Sequence, residues 1–459
     1  MPVDTKHSHY AAHQEQAQRV RDAVAGSDAV KKRRESYLPN PDSDDEERYE
    51  SYIKRAVWLG VTSRTHAGML GAIFRKTPTT ALPQAIDYMQ DDSDGSGGSL
   101  EQFAKLTSSG LMQDGRRGVM VDYPEAADGL TQEQTRGLKA TLRHYDSASI
   151  INWRREGELL ILVVLREFYE KGEDEFTSDL AEQYRVLRLE DGVYTQQVYR
   201  DGQPAGEKIS PRMGNGNQWP VIPFQFLGTV NNDETPDKPL LLDIADLNLA
   251  HYRNSADVEE ASFIVGQPLI HVDIGETSSE VWTELNPNGI AVGSRRGVQT
   301  KQGSLTMVQA EERNLPLKLM EHKEAQMLAI GARLIEQRGG NETAEAVRAR
   351  SGAENANLST VATNVSDGLS NCLQWALTFM TAKAVGPVDT IEFDLNQEFY
   401  PQDADPQTIM AMIQEVDRGL IAKPDYRAWR RKTGVIAPDR TDDDIDADAQ
   451  TGGTDLGVI

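Results

Sequence analysis

The sequence holds a single cysteine, Cys372, in 459 residues. No disulfide can form within the chain, and a small apolar packing role is the expectation for this thiol. Long hydrophobic runs are lacking too. The longest, Leu159 to Leu165 (LLILVVL), falls far short of the roughly 20 residues that a membrane-crossing helix needs. The first residues, MPVDTKHSHYAAHQEQ, have no apolar stretch of the signal-peptide kind. Together these absences point to a soluble protein made in a reducing compartment, with no membrane partner.

Positive charge is also in short supply. Lys and Arg number 48 against 72 Asp and Glu, a net charge of -24. That argues against a broad nucleic-acid-binding surface, because neutralising phosphates takes Lys and Arg. It does not exclude a surface that DNA passes without sticking, since like charges repel, but on charge alone the simpler reading is an ordinary soluble acidic protein.

Signatures of chemistry are missing as well. There is no GxxxxGK[ST] phosphate loop, and GNGNQW at 214–219 reads as a plain loop. The eight histidines form no zinc spacing; His66, His251 and His322 fall on expected helices as packing or hydrogen-bonding residues. Asp91 to Gly98, DDSDGSGG, lacks the terminal glutamate of a calcium loop and reads as a solvated turn. Ser351-Gly352 lies within a helix, not on a hydrolase elbow. Asp442, Asp443 and Asp444 could serve a metal-dependent nuclease only on a rigid scaffold, and they sit in a tail expected to be disordered. Arg427, Arg430, Arg431 and Lys432 make a short basic cluster beside that tail, too small for a sequence-reading helix pair. The expectation is no catalytic residue, no cofactor and no metal.

What is present is one dominant stretch, Thr343 to Lys383. Leu358, Val361, Val365, Leu369, Cys372, Ala376 and Met380 recur at steps of three and four, the face of an α-helix. Asn341 and Thr343 can cap its start, and Gly386-Pro387 closes its far end. At about 1.5 Å per residue the rod would reach roughly 60 Å, more than one small domain needs.

Around it the chain reads in order. Residues 1–47 are polar and read as an arm that is partly helical near Ala12 to Ala25 and ordered only against a partner. Arg48 to Phe74 reads as helical, and Gly60 and Gly68 weaken it enough to allow two shorter helices. Ser99 caps another helix, and GVMVDYP follows as a strand. From Ser147 to Val230 the pattern is β, with turns at Lys171-Gly172, Asp191-Gly192 and Asp201-Gly202, closing at Trp219 to Gly228 as one antiparallel sheet. Pro239 to Val265 and Leu315 to Gln337 are helices, flanking a compact insertion with short strands LIHVDI, GIAVGS and SLTMVQ. Arg295, Arg296 and Lys301 in that insertion are cations that could meet phosphates or acidic partners. A glycine loop, Arg338 to Asn341, leads into the rod. One strand, two short helices and an acidic tail from 441 end the chain. The class is α+β.

In that order the parts resemble the portal protein of a tailed bacteriophage, in a branch catalogued as a phage domain of unknown function. The resemblance is carried jointly by GMLGAIFRKTP (68–78), DGRRGVMVDYP (114–124), IINWR (150–154), VVLREFY (163–169), YRVLRLEDGVY (184–194), WPVIPF (219–224), LLDIADLNLAHYRNSADVEE (241–260), GQPLI (266–270) and RSGAENANLSTVATNV (350–365). It implies a ring, typically of twelve copies, through which double-stranded DNA is packaged and ejected. It implies an arm at 1–47, a wing at 48–235, stem helices at 236–266 and 311–336, and a clip at 267–310. It further implies a tunnel loop at 337–342, a long wing helix with return strand at 343–399, crown helices at 400–434 and a disordered tail at 435–459. Gln337, Arg338, Gly339, Gly340 and Asn341 would line the narrowest part of the channel. Arg295, Arg296 and Lys301 would be clip contacts to DNA or partners. The implied partners are further copies of the chain, double-stranded DNA, the major capsid protein, the terminase large subunit and a head-tail adaptor. The rival readings are a metal-dependent nuclease or another neck protein of the virion.

Overall fold

Small and branched apolar residues at helical spacing draw the long rod into the core. Helix α9 (Ala344–Met380) buries Leu358, Val361, Val365, Leu369, Cys372, Leu373, Ala376 and Phe379. Its 37 residues span about 55 Å. The computed structural model describes residues 2–42, 45–124, 138–171, 176, 179–265, 269–273, 278–285, 287, 305–308, 315–335, 344–381, 391–397, 399, 406–432, 436 and 440–451. The chain divides into two units, residues 1–395 and 396–459.

Two sheets hold most of the strands of the first unit, and the rod packs on the smaller one. Strands β4 (Ile150–Glu156), β5 (Leu159–Glu170), β6 (Leu180–Glu190), β7 (Val193–Arg200) and β8 (Gln203–Pro204) form an antiparallel meander in that order. Asp191-Gly192 and Asp201-Gly202 carry positive φ at both residues, the tight turn that matches strand twist. The expected single sheet is in fact two. Strand β9 (Phe224–Gly228) leaves the meander and pairs with β2 (Arg116–Asp122), which also pairs with β3 (Thr141–Asp146). Pro220 and Pro223, which cannot donate to a ladder, precede β9 at this sheet's edge. Between the sheets, Tyr145 on β3 donates to Glu167 on β5 at 2.6 Å, and Arg185 on β6 pairs with the same carboxylate at 2.7 Å. Burial opposes ionisation of Glu167, but these partners outweigh it and hold its pKa below the ordinary range.

The region from 48 to 74 is two helices, α3 (Glu46–Arg55) and α4 (Val61–Ile73), broken before Gly60. Helix α5 (Leu100–Asp114) starts on a reciprocal cap between Ser99 and Gln102. It ends at Gly115, whose φ of 73° and closeness to the Asp237 carbonyl leave no room for a side chain. Strand β12 (Glu392–Asp394) pairs with β1 (Thr79–Ala81), and Ser366 Oγ on α9 accepts from Leu395 N at 2.9 Å.

The N-terminal arm is a correction. Helix α1 (Tyr10–Ala25) buries Tyr10, Ala17, Val20 and Ala23. Helix α2 (Ser27–Lys32) follows it directly. Arg21 pairs with the fully buried Asp114 at 2.8 Å, Arg19 with Asp246 at 2.8 Å, and Arg33 with Asp22 at 2.7 Å. His7 stacks on Trp153 with centroids 3.9 Å apart. The helix expected near Ala12 to Ala25 is present, and the segment docks on the body through these internal charge pairs and through buried Tyr10, Val20, Val30, Tyr37 and Leu38.

The tail is a second correction. In the second unit, α10 (Pro406–Asp417) and α11 (Lys423–Lys432) are followed by α12 (Asp442–Thr451), a helix where disorder was expected. Thr441 Oγ1 accepts from Asp444 N, and Asp444 returns the bond to Thr441 N, both at 3.2 Å. The run of aspartates also sits on the positive end of the helix dipole.

Buried histidines set an acid limit on the first unit. His13 on α1 and His144 on β3 are held near pKa 4, down from 6.5, mainly by burial. The unfolded chain therefore takes up protons below pH 6.5 that the folded chain refuses until about pH 4. Stability is complete above 6.5 and falls as pH drops, by up to about 3 kcal/mol per histidine. Urea midpoints measured from pH 7 to 4.5 should show this slope, and His144→Gln should flatten it.

Candidate functional site

The layer that stands apart is a helical hairpin, α6 (Leu242–Val265) and α8 (Leu315–Ile335). His251 Nε2 lies 2.9 Å from Glu324 Oε1, and Lys323 Nζ donates to Ala250 O at 3.2 Å and to Asn254 Oδ1. At Gly331 a Cβ would come within 3.3 Å of Ile244 Cδ1 and 2.8 Å of Thr65 Oγ1. Numbers rise along α6 as they fall along α8, so the two run antiparallel. The segment between them in sequence joins the end of α6 to the start of α8. Its described parts are strand β10 (Leu269–Val272) paired with β11 (Leu305–Val308), and a short helix α7 (Ser279–Leu285).

The base of the hairpin is anchored. Buried residues of α6 run from Leu242 to Ala256, where Leu249, Tyr252 and Ala256 pack with Val30, Tyr37, Tyr49 and Ile53. Beyond Ala256 the described half is solvent-facing. Phe263 and Ile264 are 44% and 47% exposed, and Leu315, Leu317 and Leu319 are 67%, 41% and 43% exposed; Leu328, nearer the base, is 53% exposed. Along α8 at about 100° per residue, Leu317 and Leu328 fall on one flank and Leu315 and Leu319 on the roughly opposite one. The face between them that meets α6 carries Met327, Lys323 and Glu324. The remaining arc carries Lys318, His322, Ala325 and Ala329.

Helix α3 braces the hairpin from one side. Arg48 and Arg55 both pair with Glu260, and Arg55 lies over the Phe263 ring at 4.2 Å. These residues, with Asp45, Glu47 and Ile264, line an open groove of about 560 Å³.

Of the residues singled out in the sequence, Arg295, Arg296, Lys301, Gln337, Arg338, Gly339, Gly340 and Asn341 lie outside the described residues, as do GIAVGS and the caps of the rod. His66 Nε2 is 3.1 Å from Ser109 O, and His251 sits in the hairpin seam. Cys372 is fully buried, and burial pushes its thiol pKa up. Gly214 of the GNGNQW loop packs on the end of α9, donating to Thr378 O at 3.0 Å. Among the described residues, no three His, Cys, Asp or Glu side chains gather as a metal site, and no helix is long and apolar enough to cross a membrane. The exposed flanks of α8 were not separable from core positions by spacing alone. The available signal was an excess of apolar residues wrapping more than one face.

Residues 239–380, which run from the start of the hairpin to the end of α9, match a family described as a domain of unknown function, DUF4055. No curated protein matches this sequence. Among solved structures, the chain is similar to one described as the neck of an empty GTA particle computed with C6 symmetry. The two share 12% identity and a TM-score of 0.41, over 86% of this chain and 96% of that one. It is also similar to a chain from the neck of a native GTA particle computed with C12 symmetry, at 14% identity and TM-score 0.39, over 83% and 92%.

Proposed function

We propose that this chain is a phage-type portal protein, one copy of a ring at a capsid vertex through which double-stranded DNA is packaged, held and ejected. The observation that carries the reading is the hairpin with large apolar side chains exposed on opposite flanks. A lone chain gains nothing from that arrangement, whereas a neighbour on each side would cover both flanks. Contacts that join one face to a different face of the next copy close into a ring when the rotation permits. The sequence resemblance supports the same reading, since the family match spans the segments it assigns to stem, clip and long wing helix.

On this reading the work is mechanical. The acidic chain, at -24, gives a duplex few places to stick. A separate terminase supplies ATP hydrolysis, and the insertion at the hairpin tip docks first that terminase and then the tail adaptor. Arg295, Arg296 and Lys301 are its candidate contacts. The segment Gln337 to Asn341 joins the hairpin to α9 and is the candidate tunnel loop. Twelve copies are the proposed count.

Light scattering on the purified chain, with negative-stain images, tests the central point. Rings with an open centre are the expected result; a lone particle at every salt and protein concentration overturns the proposal. Deleting Gly339 to Asn341 should leave rings intact and impair DNA retention. Normal packaging by that deletion would remove the tunnel-loop assignment while leaving the ring.

A further inference from the structure

Helix α11 concentrates positive charge in an acidic chain: Lys423, Arg427, Arg430, Arg431 and Lys432 against Asp425. In the second unit this helix is covered by the chain's own α12. Arg427 makes a two-pronged contact with Asp446, with Nη1 to Oδ2 at 3.0 Å. Arg431 pairs with Asp442 and also donates from Nε to Arg440 O at 2.9 Å. The two arginines are one helical turn apart, and so are the two aspartates. The higher arginine meets the lower aspartate, so the helices run antiparallel with matched ladders of opposite charge. Beside them, Tyr426 and Trp429 lie 5.9 Å apart.

We propose that the arginine face of α11 is a binding surface for the phosphates of a DNA duplex, and that α12 occupies it in cis as a displaceable stand-in. The arrangement fits an anion with closely spaced charges. Arginine forks bind carboxylate and phosphate through the same paired N–H geometry. Residues one turn apart reach sites about 5–6 Å apart, while a DNA strand offers a phosphate every 3.4 Å or so along the axis. Displacement is easy, because both aspartates remain partly open to solvent and ion pairs of that kind add little net stability. The choice of a duplex as occupant rests on the portal reading; the covered surface itself does not.

The test uses the full chain and a fluorescent 30-base-pair duplex, with the assembly state recorded separately by light scattering. D442N/D446N should bind the duplex about tenfold more tightly than the parent. Its salt dependence should steepen by about two phosphate contacts, roughly 0.9 each in the log–log slope. Adding R427A/R431A should abolish the gain. A control with the same charge change on the first unit, D28N/E101Q, should show no gain. An equal gain in the control, or none in D442N/D446N, overturns the inference. Binding of a synthetic 441–451 peptide without binding of the duplex also overturns it and makes the surface a protein-docking one. If circular dichroism shows helix loss in the double variant, D446N alone carries the test, with about a threefold gain expected. Failure here with intact rings leaves the portal reading standing; absence of rings removes that reading whatever the binding result.

Discussion

Replacing Gly368 with valine is expected to cost about 3 kcal/mol or more of stability, read as a lower denaturant midpoint at unchanged slope. Gly368 lies inside α9, where the rod presses on β9. A Cβ there would come within 2.1 Å of Leu227 Cδ2, with Gln225 and Asn232 at 3.4 and 3.5 Å behind it. Leu227 is itself fully buried and has nowhere to retreat. Asn364, one turn earlier, fixes the spacing by donating to Gly228 O at 2.8 Å and accepting from Asn232 Nδ2 at 2.8 Å. Alanine gives the sharper sign test. In a helix interior it gains about 1 kcal/mol over glycine, whereas overpacking costs about 1–3 kcal/mol. At Gly368 the loss should win. At Gly71 on α4, where a Cβ meets nothing within 4 Å, the same change should stabilise.

The larger effect is expected on assembly. L317E/L328E places charge on one flank of α8, and L315E/L319E on the other. All four leucines are more than 40% exposed, so the subunit should keep its fold and its melting temperature within a few degrees. Burying an unpaired carboxylate at a packed interface costs several kcal/mol, enough to dissolve the proposed ring, in which the contact recurs between all neighbours. Either variant alone should run at the monomer mass by light scattering. Mixed in equal amounts, the two should form one contact and stop at twice that mass, since each supplies the flank the other has lost. Rings from either variant, or no pairing in the mixture, would show that these flanks are not the contact.

Much of the frame was legible because its signals are local. The stripe from Leu358 to Ala376, the Asp-Gly turns and the Ser99 cap each specify their own geometry. The split into two sheets was not legible, because β9 pairs with a strand about a hundred residues earlier and nothing local to it states that choice. The helix at α1 was legible but its docking was not: its buried face mixes Ala17 and Ala23 with His13 and Asp22, and Arg19 and Arg21 find carboxylates at 246 and 114. For α12 the clue was present in Thr441 and Asp444, a reciprocal cap outweighed by the run of acids around it. In the hairpin, spacing identified the helices but could not sort Met327, which is buried, from Leu317 and Leu328, which are not.

The placement of α1 has a consequence for how the chain matures on the ribosome. Its docking surface includes Asp114 on α5 and Asp246 on α6, so the helix waits for more than two hundred later residues. At about 5–20 residues per second the wait lasts roughly 10 to 45 seconds. During it the small apolar face of Ala17, Val20 and Ala23 has no native cover. Slowing elongation before Asp246 should lengthen that window and increase aggregation, while a synonymous slow stretch placed after α6 should not.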